Sequence, residues 1–199
     1  MYGGWCSLEE IGPLSQLREL SLYGLENVLA VPAASSSSFA EKVRIGSKKH
    51  LHYLEIHWSS RGRMELRDEQ RQWQHAAEEV FEKLCPPPRV QHLIIRGYFG
   101  RMLPNWMMNA ASGAFKSLMI LTLRDLRCFT KLPDGWRLLP SLKLLDIRYA
   151  AAIKSVGFEF QASSSLTAAT STAAAFPNLT HLALEDLCEW RSGTERSRM

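Results

Sequence analysis

The sequence predicts an α/β solenoid in which each repeat contributes one short strand to a curved parallel sheet. Two observations predict it. An aliphatic triplet with the spacing Leu-x-x-Leu-x-Leu recurs six times: Leu17, Leu20, Leu22; Leu51, Leu54, Ile56; Val90, Leu93, Ile95; Leu118, Leu121, Leu123; Leu142, Leu145, Ile147; and Leu179, Leu182, Leu184. The last two members of each triplet also alternate with other residues, and this period of two places them on one face of a strand.

This spacing is that of leucine-rich repeats, whose units cannot bury their apolar face alone and stack to share a core. The first leucine of each triplet turns the chain into its strand. A further apolar residue stands three positions earlier at Leu14, Phe115, Leu139 and Phe176. Leu139-Pro140-Ser141-Leu142 and Phe176-Pro177-Asn178-Leu179 are near copies, and their proline suits a segment outside the sheet ladder. Beyond the strands, Val31-Pro32, Leu103-Pro104 and Leu132-Pro133 mark irregular return paths on the convex side.

Residues 1–190 are assigned to the repeat domain and 191–199 to a polar tail. Two insertions make the repeats uneven. In the first, 59–88, Trp73, Ala77, Val80, Phe81 and Leu84 share one face of an amphipathic helix over Glu65–Leu84, ended by Pro86-Pro87-Pro88. The second, 162–175, is rich in Ser, Ala and Thr and reads as a mobile loop, as does the shorter tract 33–38. Neither end carries a polar capping unit, so the chain is expected to be a fragment or truncated form of a longer array.

Composition excludes several functions. Apolar residues make up 46% and charged residues 22%, a globular balance, and a net charge of +4 is too small to argue for nucleic acid. No apolar run approaches the roughly 20 residues of a membrane span. The N-terminus lacks the pattern of a secretory signal. Four scattered cysteines without a C-x-x-C pair fit a reduced, cytoplasmic protein. Cys128 and Cys188 read as small apolar groups in the turns after strands.

No H-E-x-x-H, G-x-S-x-G or phosphate-loop motif occurs, so no enzyme, cofactor or catalytic residue is predicted. His50, His52 and His57 cluster in sequence without cysteine neighbours. They read as repeat surface, with no metal site.

Stacking parallel strands about 4.8 Å apart aligns the outward positions in columns. One column is Tyr23, His57, Arg96, Arg124, Arg148 and Glu185. The next is Ser21, Glu55, Ile94, Thr122, Asp146 and Ala183. The third is Glu19, Tyr53, His92, Ile120, Leu144 and His181. Three neighbouring arginines repel unless anions face them, and Asp125 and Asp146 are the expected counter-charges. Arginine beside exposed aliphatics is a combination that protein interfaces favour. The expected protein-binding residues on the concave face are therefore Tyr23, His57, Ile94, Arg96, Ile120, Arg124, Leu144 and Arg148.

Several stretches resemble the leucine-rich-repeat region of plant nucleotide-binding disease-resistance proteins of the coiled-coil class. They are Leu20 to Val28, Lys48 to Trp58, Val80 to Pro87, Ile94 to Gly100 with Leu103-Pro104-Asn105-Trp106-Met107, and Phe176 to Leu179. The resemblance implies protein recognition in intracellular pathogen sensing. Its implied partners are a pathogen effector, a guarded host protein or a nucleotide-binding domain of the same receptor family. The alternative is a repeat adaptor that holds a substrate in a ligase or kinase complex.

The chain departs from that pattern in three places. It has no phosphate loop. Its ladder position holds Leu25, Ser59, Tyr98, Leu126, Ala150 and Leu187 in place of asparagine. Pro32 and Ser35 to Ser38 interrupt a segment that is helical in the family.

Overall fold

The computed structural model describes residues 8–29, 44–59, 67–109, 115–126, 128–130, 132–153 and 176–187. Within them, six five-residue strands form one parallel sheet in sequence order: β1 (Glu19–Tyr23), β2 (Tyr53–His57), β3 (His92–Arg96), β4 (Ile120–Arg124), β5 (Leu144–Arg148) and β6 (His181–Glu185). The register matches all three predicted columns, residue for residue.

The inward face of each strand carries the repeat aliphatics. Leu54, Ile56, Leu93, Ile95, Leu121, Leu123, Leu145 and Ile147 are all buried, as are the turning residues Leu51, Val90, Leu118 and Leu142. β6 departs from the expectation. Leu182 is 44% exposed and Leu184 only half-buried, because among the described residues no further strand stacks beyond it. Of the apolar residues three positions before the turning leucines, Leu14 is exposed, whereas Phe115 and Leu139 are buried.

The chain is led onto and off the sheet by repeated backbone devices. Before the strand, an i→i+3 hydrogen bond closes a turn at Lys48–Leu51, Pro87–Val90, Phe115–Leu118 and Phe176–Leu179. After it, the first residue takes a left-handed conformation at Gly24, Gly97, Asp125, Tyr149 and Asp186. Glycine and aspartate tolerate that region; a tyrosine there costs about 1–2 kcal/mol, offset by its neighbours. Trp58 is the exception. Its carbonyl crosses over Gly97, where an added Cβ would lie 2.0 Å from the Trp58 oxygen.

The expected asparagine-free spine is an apolar stack, with Leu25, Tyr98, Leu126 and Ala150 buried at the ladder position. Short α1 (Glu26–Leu29) follows β1, and 30–43 lies outside the described residues. The long helix α2 (Arg67–Lys83) falls within the predicted span, and Ala77, Val80 and Phe81 on its stripe are buried, with Leu84 just beyond its end. Phe81 anchors it, meeting Tyr98 at 4.7 Å, Trp106 at 5.4 Å and Trp58 at 6.4 Å between ring centroids. Such edge and tilted contacts add to the area that the rings bury.

Two carboxylates of α2 knit the helix to the return path. Glu78 Oε1 accepts the backbone N–H groups of Arg101 and Met102, and Glu82 Oε2 accepts that of Asn105 at the start of α3 (Asn105–Met108). Pro104 precedes α3 and Pro133 precedes a 3-10 turn at Asp134–Leu138, so the two Leu-Pro pairs do lead into short convex-side turns. The loop assigned to 162–175, the tract 33–38 and the tail 191–199 lie outside the described residues.

Replacing Leu121 by Ala is expected to destabilise the chain by about 2–5 kcal/mol in denaturant titration, the range for a fully buried leucine. Gly97→Ala is expected to cost about 1–3 kcal/mol or more by the same measurement, because it adds both a clash and left-handed strain.

Candidate protein-recognition face

The sheet's outward face is built by the register just described. Tyr23, His57, Arg96, Arg124 and Arg148 form one column with Glu185, and Ile120 and Leu144 lie side by side in another. Tyr23 is the most exposed of the predicted residues, at 63%. Ile94, Ile120 and Leu144 are all half-buried, forming an apolar strip across three strands. His57 meets the edge of the Tyr23 ring at 5.4 Å. Of the other clustered histidines, His50 is exposed in the turn before β2 and His52 Nε2 stands 3.8 Å from Glu19 Oε1.

The column between them is less wet than expected. Glu55, Thr122 and Asp146 are buried beneath the long side chains on either side. A buried carboxylate needs partners, and both carboxylates have them. Glu55 Oε2 accepts the hydroxyls of Tyr23 at 3.2 Å and Tyr53 at 3.1 Å, while its Oε1 lies 2.9 Å from Arg96 Nε. That last contact is an ion pair by distance but not aligned for a hydrogen bond. Asp146 bridges two arginines, accepting from Arg124 Nη2 at 2.9 Å and Arg148 Nε at 2.6 Å. Arg148 reaches Glu185 as well, at 3.0 Å.

The three stacked arginines are thus neutralised within the face. Asp146 serves as predicted. Asp125 lies one residue past the end of β4, where the backbone has turned left-handed. Sequence reasoning missed Glu55 and Glu185 as counter-charges. The signal for Glu185 was present, since it stands directly across from Arg148 in the column.

The electrostatics of Asp146 follow from its setting. Burial raises the carboxyl, but the hydrogen bonds and charges of Arg148 and Arg124 outweigh burial and hold it below the usual carboxylate range. Asp146 in turn raises Arg148, reinforced by Glu185. Burial raises the Tyr53 hydroxyl, and its hydrogen bond to Glu55 raises it further, so it stays a donor at physiological pH.

Among the described residues no three His, Cys, Asp or Glu side chains converge as metal ligands, and no helix is long and apolar enough to cross a membrane. Cys128 is half-buried in the turn after β4, where its sulfur takes a hydrogen bond from the buried Gln74 Nε2 at 3.3 Å. Cys188 lies outside the described residues.

A family model described as R13L1/DRL21 LRRs matches residues 8–150. Among curated proteins, the chain is similar to putative disease resistance RPP13-like protein 1 of Arabidopsis thaliana, 29% identical over 77% of this chain and 14% of that protein. It is also similar to disease resistance protein RGA2 of Solanum bulbocastanum, 26% identical over 70% of this chain and 13% of that one. Putative disease resistance protein RGA1 of the same species is 24% identical over the same shares. The chain therefore spans about one seventh of the length of the curated relatives it matches. No solved structure matches it significantly.

The depressed Asp146 carboxyl makes the native chain bind fewer protons than the unfolded one near its titration. Its stabilisation is fully present above about pH 4, the unfolded value, and is lost as pH falls through the lower folded value. Asp146→Asn is expected to lower stability at pH 7 by about 1–3 kcal/mol, the scale for a hydrogen bond to a charged group. The gap between the two proteins should narrow below about pH 4 in acid-denaturation curves.

Proposed function

The chain belongs to the R13L1/DRL21 leucine-rich-repeat family, and from this premise we propose that it is the protein-recognition module of a plant intracellular immune receptor, as a segment of a longer protein acting in the cytoplasm. Its relatives are disease-resistance proteins, and it corresponds to a small share of each. The proposed module is not an enzyme and uses no cofactor. Its partner is a protein: a pathogen effector, a guarded host protein or the nucleotide-binding domain of its own receptor.

One observation carries this reading. An apolar strip of Ile94, Ile120 and Leu144 lies beside arginines whose side chains are already fixed by carboxylates. Fixed side chains lose little rotamer entropy when a partner docks, so the face is preorganised. The strip supplies a surface to desolvate, and the Arg–carboxylate pairs supply a polar rim around it. Internal neutralisation changes the role of the arginines. They do not draw in an acidic partner by net charge; they present guanidinium edges and planes at fixed positions.

The test places Ile120→Asp and Arg124→Glu beside Gln72→Glu, an exposed position on α2. Each substitution is introduced into a full-length receptor containing this segment, and cell death and binding to the receptor's nucleotide-binding domain are measured. Ile120→Asp is expected to raise the dissociation rate at least tenfold, because it puts a charge into the apolar centre. Arg124→Glu sets two carboxylates against each other and is expected to disturb recognition as well, with melting curves checking that the fold survives. Equal effects from all three, or none from the sheet-face pair, would move the site elsewhere.

A further inference from the structure

Among the described residues, a row of positive charge without ion-pairing carboxylates lies on the flank that precedes the strands, not on the sheet face. The register aligns Arg18, His52, Gln91, Met119, Lys143 and Thr180 in one row just before the strands. The preceding turns add Lys49, His50, Arg89 and Lys116. Across the four residues that precede each strand, 15–18, 49–52, 88–91, 116–119, 140–143 and 177–180, there is no aspartate or glutamate. The flank after the strands has the opposite sign, with Glu26, Asp125 and Asp186.

At the β1 to β3 end this basic flank forms an open, shallow cavity of about 280 Å³. Arg18, Lys49, His50, His52, Arg89 and Gln91 line it, and no carboxylate does. No ion pair to a carboxylate engages Arg18, Lys49 or Arg89 among the described residues, in contrast to Arg96, Arg124 and Arg148. Glu19 Oε1 stands 3.8 Å from His52 at the rim and is itself largely exposed.

The cavity walls are held by backbone. The Arg18 carbonyl accepts the N–H groups of His52 and Tyr53, and the His52 carbonyl accepts those of Gln91 and His92. Lys49 and His50 occupy the tip of the Lys48–Leu51 turn, and Arg89 that of the Pro87–Val90 turn. Lys48 beneath them is buried and donates to the carbonyls of Ile11 at 2.6 Å and Leu14 at 3.2 Å, fixing the turn to the start of the first repeat.

We propose that this cavity is a binding site for a small soluble polyphosphate, a ligand carrying adjacent phosphate groups. Guanidinium groups match phosphate oxygens in pairs, and Lys49 adds a mobile ammonium. A concave wall of one sign concentrates the field and raises local anion concentration. The volume lies at the small end of the range for ligand pockets, which fits a compact anion rather than a folded partner. The site is separate from the apolar strip proposed for protein recognition, so each can fail alone.

The experiment is calorimetric titration of the 199-residue chain with tripolyphosphate at low and moderate salt. Binding that weakens with salt is expected, since exposed charges are screened. Lys49→Gln with Arg89→Gln should weaken it at least tenfold, while Lys116→Gln with Lys143→Gln, on the same flank outside the cavity, should change it less than threefold. Circular dichroism confirms that both double variants fold. The proposal is overturned by no binding, by equal losses in the two double variants, or by equal affinity for a tricarboxylate. It is also overturned if a single-stranded oligonucleotide binds and tripolyphosphate does not.

Discussion

A single register runs through the sheet, and the rest of the molecule depends on it. Each strand contributes five residues, and each pairs in parallel with the strand of the next repeat without a slip. A slip of one residue would send every inward leucine to the outer face. The turns before the strands and the left-handed residues after them prevent that, because they fix where each strand starts and stops. Between those fixed points the convex side is free to vary. A 17-residue helix separates β2 from β3, whereas only a 3-10 turn stands among the described elements between β4 and β5.

Register also explains how charge is placed. Outward positions two residues apart on one strand, and their neighbours on the next, come within reach of long side chains. Arg148 finds Asp146 along its own strand and Glu185 across the sheet, while Arg124 shares the same aspartate from the other side. Two buried carboxylates on the sheet face would be costly alone. Here each is the hub of a cluster, and that arrangement turns a column of like charges into a rigid, nearly neutral surface. The lysines and arginines of the turns before the strands have no such carboxylate partner among the described residues.

Much of this was legible in the sequence, and the reason is periodicity. Leu93, Ile95, Leu121 and Leu123 announce their burial through spacing alone, and once the strands are located the columns follow by counting. The apolar stripe of α2 was legible for the same reason. The misses have a different origin. Leu182 has the right spacing but lacks a covering neighbour, and spacing does not report neighbours. Glu55 and Glu185 were in the correct columns, yet pairing depends on side-chain direction, which a column does not give. The basic flank went unread because its members precede five different strands and lie far apart in the sequence. The left-handed tyrosine at 149 has no sequence signal at all.

Each strand hydrogen-bonds only to the repeats beside it in sequence, so among the described residues no strand pairing ties the first repeat to the last. Loosening therefore travels as a front. From β6, whose two repeat leucines are the least buried among the described strands, a front must cross β5 before it reaches β4. The aromatic cluster around Phe81 lies against the middle of the array, so the central repeats form the slowest part of that path. A surface spread over many strands then keeps its middle intact while its margin breathes. The residues that hold their geometry longest are those of β2, β3 and β4, which include Ile94 and Ile120 of the apolar strip.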